Sequence, residues 1–255
     1  MDSLWLYPIL FGVGTAAGFV DSIAGGGGVL TIPVLLSVLP MPAPDVLGTN
    51  KLQATFGSAS ATWHYRDAGL VQFRECWAGI AWTALGALGG TLLVANISSE
   101  LLRKLIPWLL IGIAVYTLVR PSIGSLDAKP VLKPNIFYLL FGLGIGFYDG
   151  FFGPGTGSFW AMAYVLCLGY NLTKATAHTK VMNFTSNVVS FAVFAAGNHV
   201  LYPAGVVMGM GQLIGARVGS KMVIKKGAEF IRPIFVTAAL VITGKLIYQN
   251  YFRNN

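Results

Sequence analysis

The chain has 255 residues, of which 55% are hydrophobic and only 10% charged, with a formal net charge of +8. Soluble domains carry roughly 25% charged residues, so this composition excludes a soluble globular domain and points to an integral membrane protein. The basic excess is expected to hold loops in the cytoplasm and not to bind nucleic acid, because no basic patch is interleaved with aromatics.

Apolar elements are predicted at 4–22, 29–40, 49–65, 75–95, 101–119, 135–149, 157–169, 178–197, 200–219 and 230–249. Most match membrane helices of ~20 residues and not the alternating ~10-residue strands of an outer-membrane barrel. The fold class is therefore all-α integral membrane. Met1-Asp2-Ser3 lacks the basic region of a cleavable signal, so the first stretch is expected to be retained. The only sizeable polar connection carries Pro121, Pro130 and Pro134 and divides the chain into a membrane repeat at 1–120, a cytoplasmic linker at 121–134 and a second membrane repeat at 135–255.

Two glycine-rich breaks interrupt the apolar stretches. The first holds Asp21 followed by Gly25, Gly26, Gly27 and Gly28; the second holds Asp149 followed by Gly153, Pro154, Gly155 and Gly157. Non-helical backbone at membrane depth is tolerated only where it is buried in protein or lines a cavity. Broken helices at matching places in two halves point to a transporter's substrate site.

The halves match residue by residue. Gly18, Phe19, Asp21, Gly25 and Gly27 fall on Gly146, Phe147, Asp149, Gly153 and Gly155 at an offset of 128. Lys51 falls on Lys180, and Gly86-Ala87-Leu88-Gly89-Gly90 on Gly215-Ala216-Arg217-Val218-Gly219, at 129. Pro107 lies near the counterpart of Pro233. If each broken element crossed once, Lys and Arg would divide six against seven between the two sides, with no bias. If each returns to its starting side, ten (Arg66, Arg74, Arg120 and Lys174 among them) face one side and three, Arg103, Lys104 and Arg253, the other. The second division is the asymmetry of the positive-inside rule. A 12-residue helix at 29–40 would also span only about 18 Å, too short for the bilayer core. The expectation is two inverted repeats, each a broken helical hairpin followed by three transmembrane helices, with both termini outside.

The candidate site follows from these breaks. Helices restarting after Gly28 and Gly157 present free N–H groups and a positive dipole end, suited to an anion; the alternative is that the glycines only allow close packing. Asp21 and Asp149 are costly in a membrane and either hold the loose N–H groups of the breaks or carry a coupling proton. Lys51 and Lys180 need an anionic partner: a mobile anion, or Asp21 or Asp149, unless they snorkel to the interface. Asn50, Gln53 and His178 lie nearby in sequence, and Asn183 and Asn187 share the face of Lys180. Arg217, between two glycines, is a further candidate for the cavity. Cys76 and Cys167 have neither metal nor redox spacing and are expected to be packing residues. No histidine cluster, nucleotide loop or catalytic triad is evident, so neither a metal, a cofactor nor an enzymatic activity is expected.

At these motifs the chain resembles the TauE/SafE sulfite exporter family. The resemblance rests on GFVDSIAGGGGVLTIP at 18–33, TNKLQA at 49–54, GFYDGFFGPGTGSFW at 146–160, KATAHTKVMNFTSN at 174–187 and GQLIGARVGS at 211–220. It implies a multi-pass carrier of the bacterial inner membrane for sulfite, sulfonates or related anions, coupled to protons. The expected function is a secondary transporter exporting a small sulfur oxyanion; the alternatives are a passive anion channel and a membrane scaffold or assembly protein. The expected partners are that anion, membrane lipid and a second copy of the chain in a homodimer.

Overall fold

In a computed structural model the described residues are 5–39, 41–102, 108 and 127–227. The predicted element 230–249, most of 101–119, most of the linker, Pro107, Pro233 and both chain ends lie outside them.

Helix α1 (Leu6–Ala24) stops where Gly25 adopts φ +74° and donates its N–H to the Asp21 carbonyl. Only glycine takes that left-handed conformation without penalty. The chain restarts after Gly26 as the short α2 (Gly27–Val38), then passes Pro42 into α3 (Ala43–Asp67). Pro44 sits in the first turn of α3, where its missing N–H costs nothing, and Asp45 complements the dipole there. α4 (Phe73–Ala95) completes the described first half.

The second half repeats the order. α5 (Pro134–Phe137) continues through a π-helical turn (Tyr138–Gly142) into α6 (Leu143–Phe151). The glycine break follows, then α7 (Thr156–Leu168), α8 (Leu172–Ala196) and α9 (Tyr202–Lys226). Asn171 caps α8 by accepting the Lys174 N–H at 2.9 Å. The sequence predicts one element over 135–149; the structure places a π turn within it. No strand occurs among the described residues.

The polarity is that of a membrane protein. α4 and α9 expose Leu85, Leu92, Leu213, Ile214 and Val218, whereas α3 and α8 bury polar residues: Asn50, Lys51, Gln53 and Ser58 on one, Lys180, Asn183, Ser186 and Asn187 on the other. Among the described residues, Leu6–Ala24 and Phe73–Ala95 are long and apolar enough by themselves to cross a bilayer. α3 and α8 have 25 residues each, but their inward polar faces lower their hydropathy. Trp5, Trp63, Trp77 and Trp108 are all exposed. Cys76 and Cys167 are free thiols.

Helix packing crosses between the halves. α1 lies along α9, and α4 along α6. Bare glycines permit both approaches: a Cβ on Gly215 would meet the Thr15 carbonyl and Phe19 nitrogen, and one on Gly86 the Leu143 carbonyl and Phe147 nitrogen. These are the same positions of the two halves, 128 or 129 residues apart. α3 packs on α8, and the breaks lie against this central pair.

Candidate functional site

The two breaks meet backbone to backbone. A Cβ on Gly25 would fall on the Gly157 Cα, and one on Gly157 on the Gly25 Cα. The Ser158 hydroxyl crosses the junction to the Ala24 carbonyl at 2.9 Å. Within the first break the Asp21 carboxylate accepts the Gly27 N–H at 3.1 Å. Within the second, Gly153 and Gly155 have φ +98° and +82°, the Tyr148 hydroxyl donates to the Pro154 carbonyl at 2.8 Å, and the Thr156 hydroxyl donates to the Gly153 carbonyl.

The lysines reach across the halves. Lys51 Nζ, from α3, donates to the Asp149 carbonyl at 2.5 Å and to Asp149 Oδ1 at 2.7 Å, with Asn187 Oδ1 at 3.4 Å. Lys180 Nζ, from α8, donates to the Asp21 carbonyl and lies 3.2 Å from Asp21 Oδ2. Each lysine thus donates to a main-chain carbonyl at the opposite break and pairs with its carboxylate; the Asp21 carbonyl also accepts the Gly25 N–H at 2.9 Å. The pairs differ in exposure: the Lys51 and Asp149 side chains are 2% and 5% exposed, whereas Asp21 is 21% exposed beside a fully buried Lys180. Asp149 is further held by the Ser186 hydroxyl. The residue 129 positions before Ser186 is Gly57, which has no side chain to give Asp21.

A cavity of about 30 Å³ lies where these parts converge. The first turns of α2 and α7 bring Gly27, Gly28 and Gly157 to its wall, and N–H groups in a first turn have no intrahelical acceptor. Gly25, Gly153, Gly155, Asp21, Asp149, Asn50, Lys51, Asn183 and Asn187 complete most of the lining. The Asn183 Oδ1 is buried without a hydrogen-bond partner. One lysine, two carboxylates, helix N-termini and amide groups therefore surround one small polar space.

Five sequence candidates stand outside this lining. Gly26 lies in the first break, and Lys180 acts on it through Asp21. Gln53 is buried behind Asn50 and donates to its Oδ1 at 2.7 Å. His178 sits in an aromatic pocket, its ring 5.6 Å from Tyr164 and 4.9 Å from Tyr170, with Nδ1 2.9 Å from the Lys174 carbonyl. Arg217 is exposed on the outer face of α9. Two residues missed in the sequence support Asn50, Thr31 directly and Gln212 through Gln53. Thr31 lies 2.6 Å from the Asn50 Oδ1, and Gln212 donates to Gln53 at 2.5 Å. Both stand within apolar stretches, and an uncharged polar residue there was the available signal.

The profile of the family described as Sulfite exporter TauE/SafE matches residues 10–246. A Haemophilus influenzae protein described as a probable membrane transporter protein is 47% identical over 248 residues, 97% of this chain and 97% of its own length. An Escherichia coli K12 protein described as probable membrane transporter protein YfcA is 44% identical over 251 residues, 98% of this chain and 93% of its own. A Sinorhizobium protein described as probable membrane transporter protein ORF9 is 44% identical over 242 residues, 95% and 92% of the two chains. No solved structure matches the chain.

Proposed function

The chain belongs to the sulfite exporter TauE/SafE family, and from that premise we propose that it is a secondary transporter exporting a small sulfur oxyanion, sulfite or a sulfonate, across the bacterial inner membrane with coupling to protons. One observation carries the reading: two glycine breaks, each neutralised by a lysine from the other half, abut around a single polar cavity. Lys51, Lys180, the helix N-termini at Gly27, Gly28 and Gly157, and the amides of Asn50, Asn183 and Asn187 would hold the anion.

The charge balance supports proton coupling. Two lysines and two aspartates cancel, so an entering anion brings an uncompensated buried charge, which is costly. A proton taken up by an aspartate releases its lysine for the anion and restores neutrality. Asp21 is the more accessible of the two carboxylates. The cavity of about 30 Å³ is small and polar. Exposing it to each side in turn would part the breaks, as expected when two inverted repeats rock about a shared site. The crossed packing of α1 on α9 and α4 on α6 supports this arrangement.

Two experiments test the proposal. Purified protein in liposomes should move sulfite against its own gradient when a pH gradient is imposed; flux that only ever follows the anion gradient identifies a channel, and no anion flux removes the transport reading. Cysteines placed at 125 and 227 should react with an impermeant maleimide only from the cytoplasmic side. Labelling from outside intact cells would overturn the re-entrant topology and leave the flux result standing.

A further inference from the structure

We infer that Gln212, on α9 and outside the cavity, is a positioning residue that fixes which end of the Asn50 amide faces the anion. The inference rests on the oxyanion reading above. It concerns a chain of three buried amides. Gln212 Nε2 donates to Gln53 Oε1 at 2.5 Å, and Gln53 Nε2 donates to Asn50 Oδ1 at 2.7 Å. Asn50 Oδ1 also has the Thr31 hydroxyl at 2.6 Å. Gln212, Gln53 and Asn50 are 1%, 0% and 4% exposed.

An amide carries an acceptor at one end and two donors at the other. Asn50 Oδ1 is engaged by Gln53 and by the Thr31 hydroxyl, whose single proton has the Gly27 carbonyl at 3.1 Å as its other, longer acceptor, so the end left for the cavity is the NH₂ group. That end suits a deprotonated oxyanion, which accepts and does not donate. If the chain turned over, Asn50 would give its N–H to Gln53, Gln53 would give its own to Gln212, and an oxygen would face the anion. The far end of the chain opposes this reversal. Gln212 Oε1 rests where a side chain on Gly57 would begin. A carbonyl oxygen there can accept a weak contact from the glycine Cα–H. An NH₂ group in the same place would point its donors at carbon, and an unsatisfied buried donor is the more costly case.

The same register in the other half lacks this device. Residues 129 positions from Asn50, Gln53 and Gln212 are Thr179, Met182 and Thr83. Thr83 does contact Met182, hydroxyl to sulfur at 3.4 Å, but a thioether has no second polar end to pass an orientation on. The contact is retained and the relay is not. The two halves therefore offer the anion different walls, and the oriented donor belongs to the first.

The test is a double-mutant cycle read as the dissociation constant for sulfite, by titration calorimetry on purified protein, with thermal unfolding followed alongside. Gln212→Met should weaken binding roughly tenfold, the range for a hydrogen bond to a charged group. Gln53→Met, which installs the residue found at its counterpart, interrupts the same relay and should do the same. In an Asn50→Ala background neither change should weaken binding by more than about twofold, because the residue they act through is gone. Additive losses in that background, or wild-type affinity in both single variants, would overturn the inference and leave the oxyanion reading intact. A wild-type protein that binds no sulfite overturns that reading, and the inference falls with it.

Discussion

Lys51→Met should abolish anion flux and strip the protein of much of its stability, whereas Lys51→Met combined with Asp149→Asn should recover the stability and not the flux. The Lys51–Asp149 pair is almost completely buried. Removing one member of such a pair leaves an uncompensated charge and costs about 3–5 kcal/mol. The Asp149 carbonyl and carboxylate both lose their donor, and only the Ser186 hydroxyl remains on the carboxylate. The double change removes the stranded carboxylate charge, so thermal unfolding in detergent should return toward the wild-type midpoint. The site, however, has then lost the lysine that lines the cavity, and reconstituted flux should stay at background. Wild-type flux in the double variant would show that Lys51 serves the fold alone. Lys180→Met should be milder for the fold, because Asp21 reaches solvent and can be hydrated.

Gly157→Ala should cut flux at least tenfold, while Gly12→Ala leaves it unchanged. The new methyl group at position 157 has nowhere to go except into the Gly25 backbone, so the two breaks must separate. Catalysed transfer between positioned groups is sensitive to displacements of about 1 Å, and a carrier site built from two loops is subject to the same geometry. The helix containing position 157 itself loses nothing, since alanine is the better helix former by ~1 kcal/mol. Lost flux with a retained unfolding midpoint would separate the contact between breaks from general destabilisation. Gly25→Ala should be worse on both counts, because φ +74° adds about 1–2 kcal/mol of backbone strain to the same collision. Gly12, in α1, faces open space, so its substitution controls for adding a methyl group. Full activity in Gly157→Ala would mean that the abutment of the breaks has no part in transport.

The sequence made the breaks visible because glycine runs beside an acid have few other uses inside apolar stretches. It also paired Asp21 with Asp149 and Lys51 with Lys180, since a fixed offset identifies equivalent positions. An offset says nothing about which equivalent positions touch. Pairing each lysine with the other half's aspartate depends on how α3 and α8 pack, which no local pattern encodes. Lys51 and Lys180 accordingly admitted two partners, and the structure supplies carboxylates and carbonyls for both. Gln212 carries no such pairing signal: it stands alone in an apolar stretch, and its neighbours Gly211 and Gly215 serve the packing against α1. His178 shows the converse. A histidine in a polar run invites a site role, yet Tyr164 and Tyr170 enclose its ring and only a backbone carbonyl meets its Nδ1. The π turn at Tyr138–Gly142 left no mark in a stretch that reads as uninterrupted helix.

The crossed lysine–aspartate pairs also bear on how the protein is made. Lys51 meets a partner 98 residues further along the chain, and Asp21 one that lies 159 residues away. A ribosome therefore delivers the first half to the membrane with an ammonium and a carboxylate whose eventual counterions do not yet exist. Until the second half arrives, these groups lack the partners they hold in the folded protein. Assembly of the two halves is then less a docking of finished domains than a mutual discharge, in which both ion pairs form across the same junction.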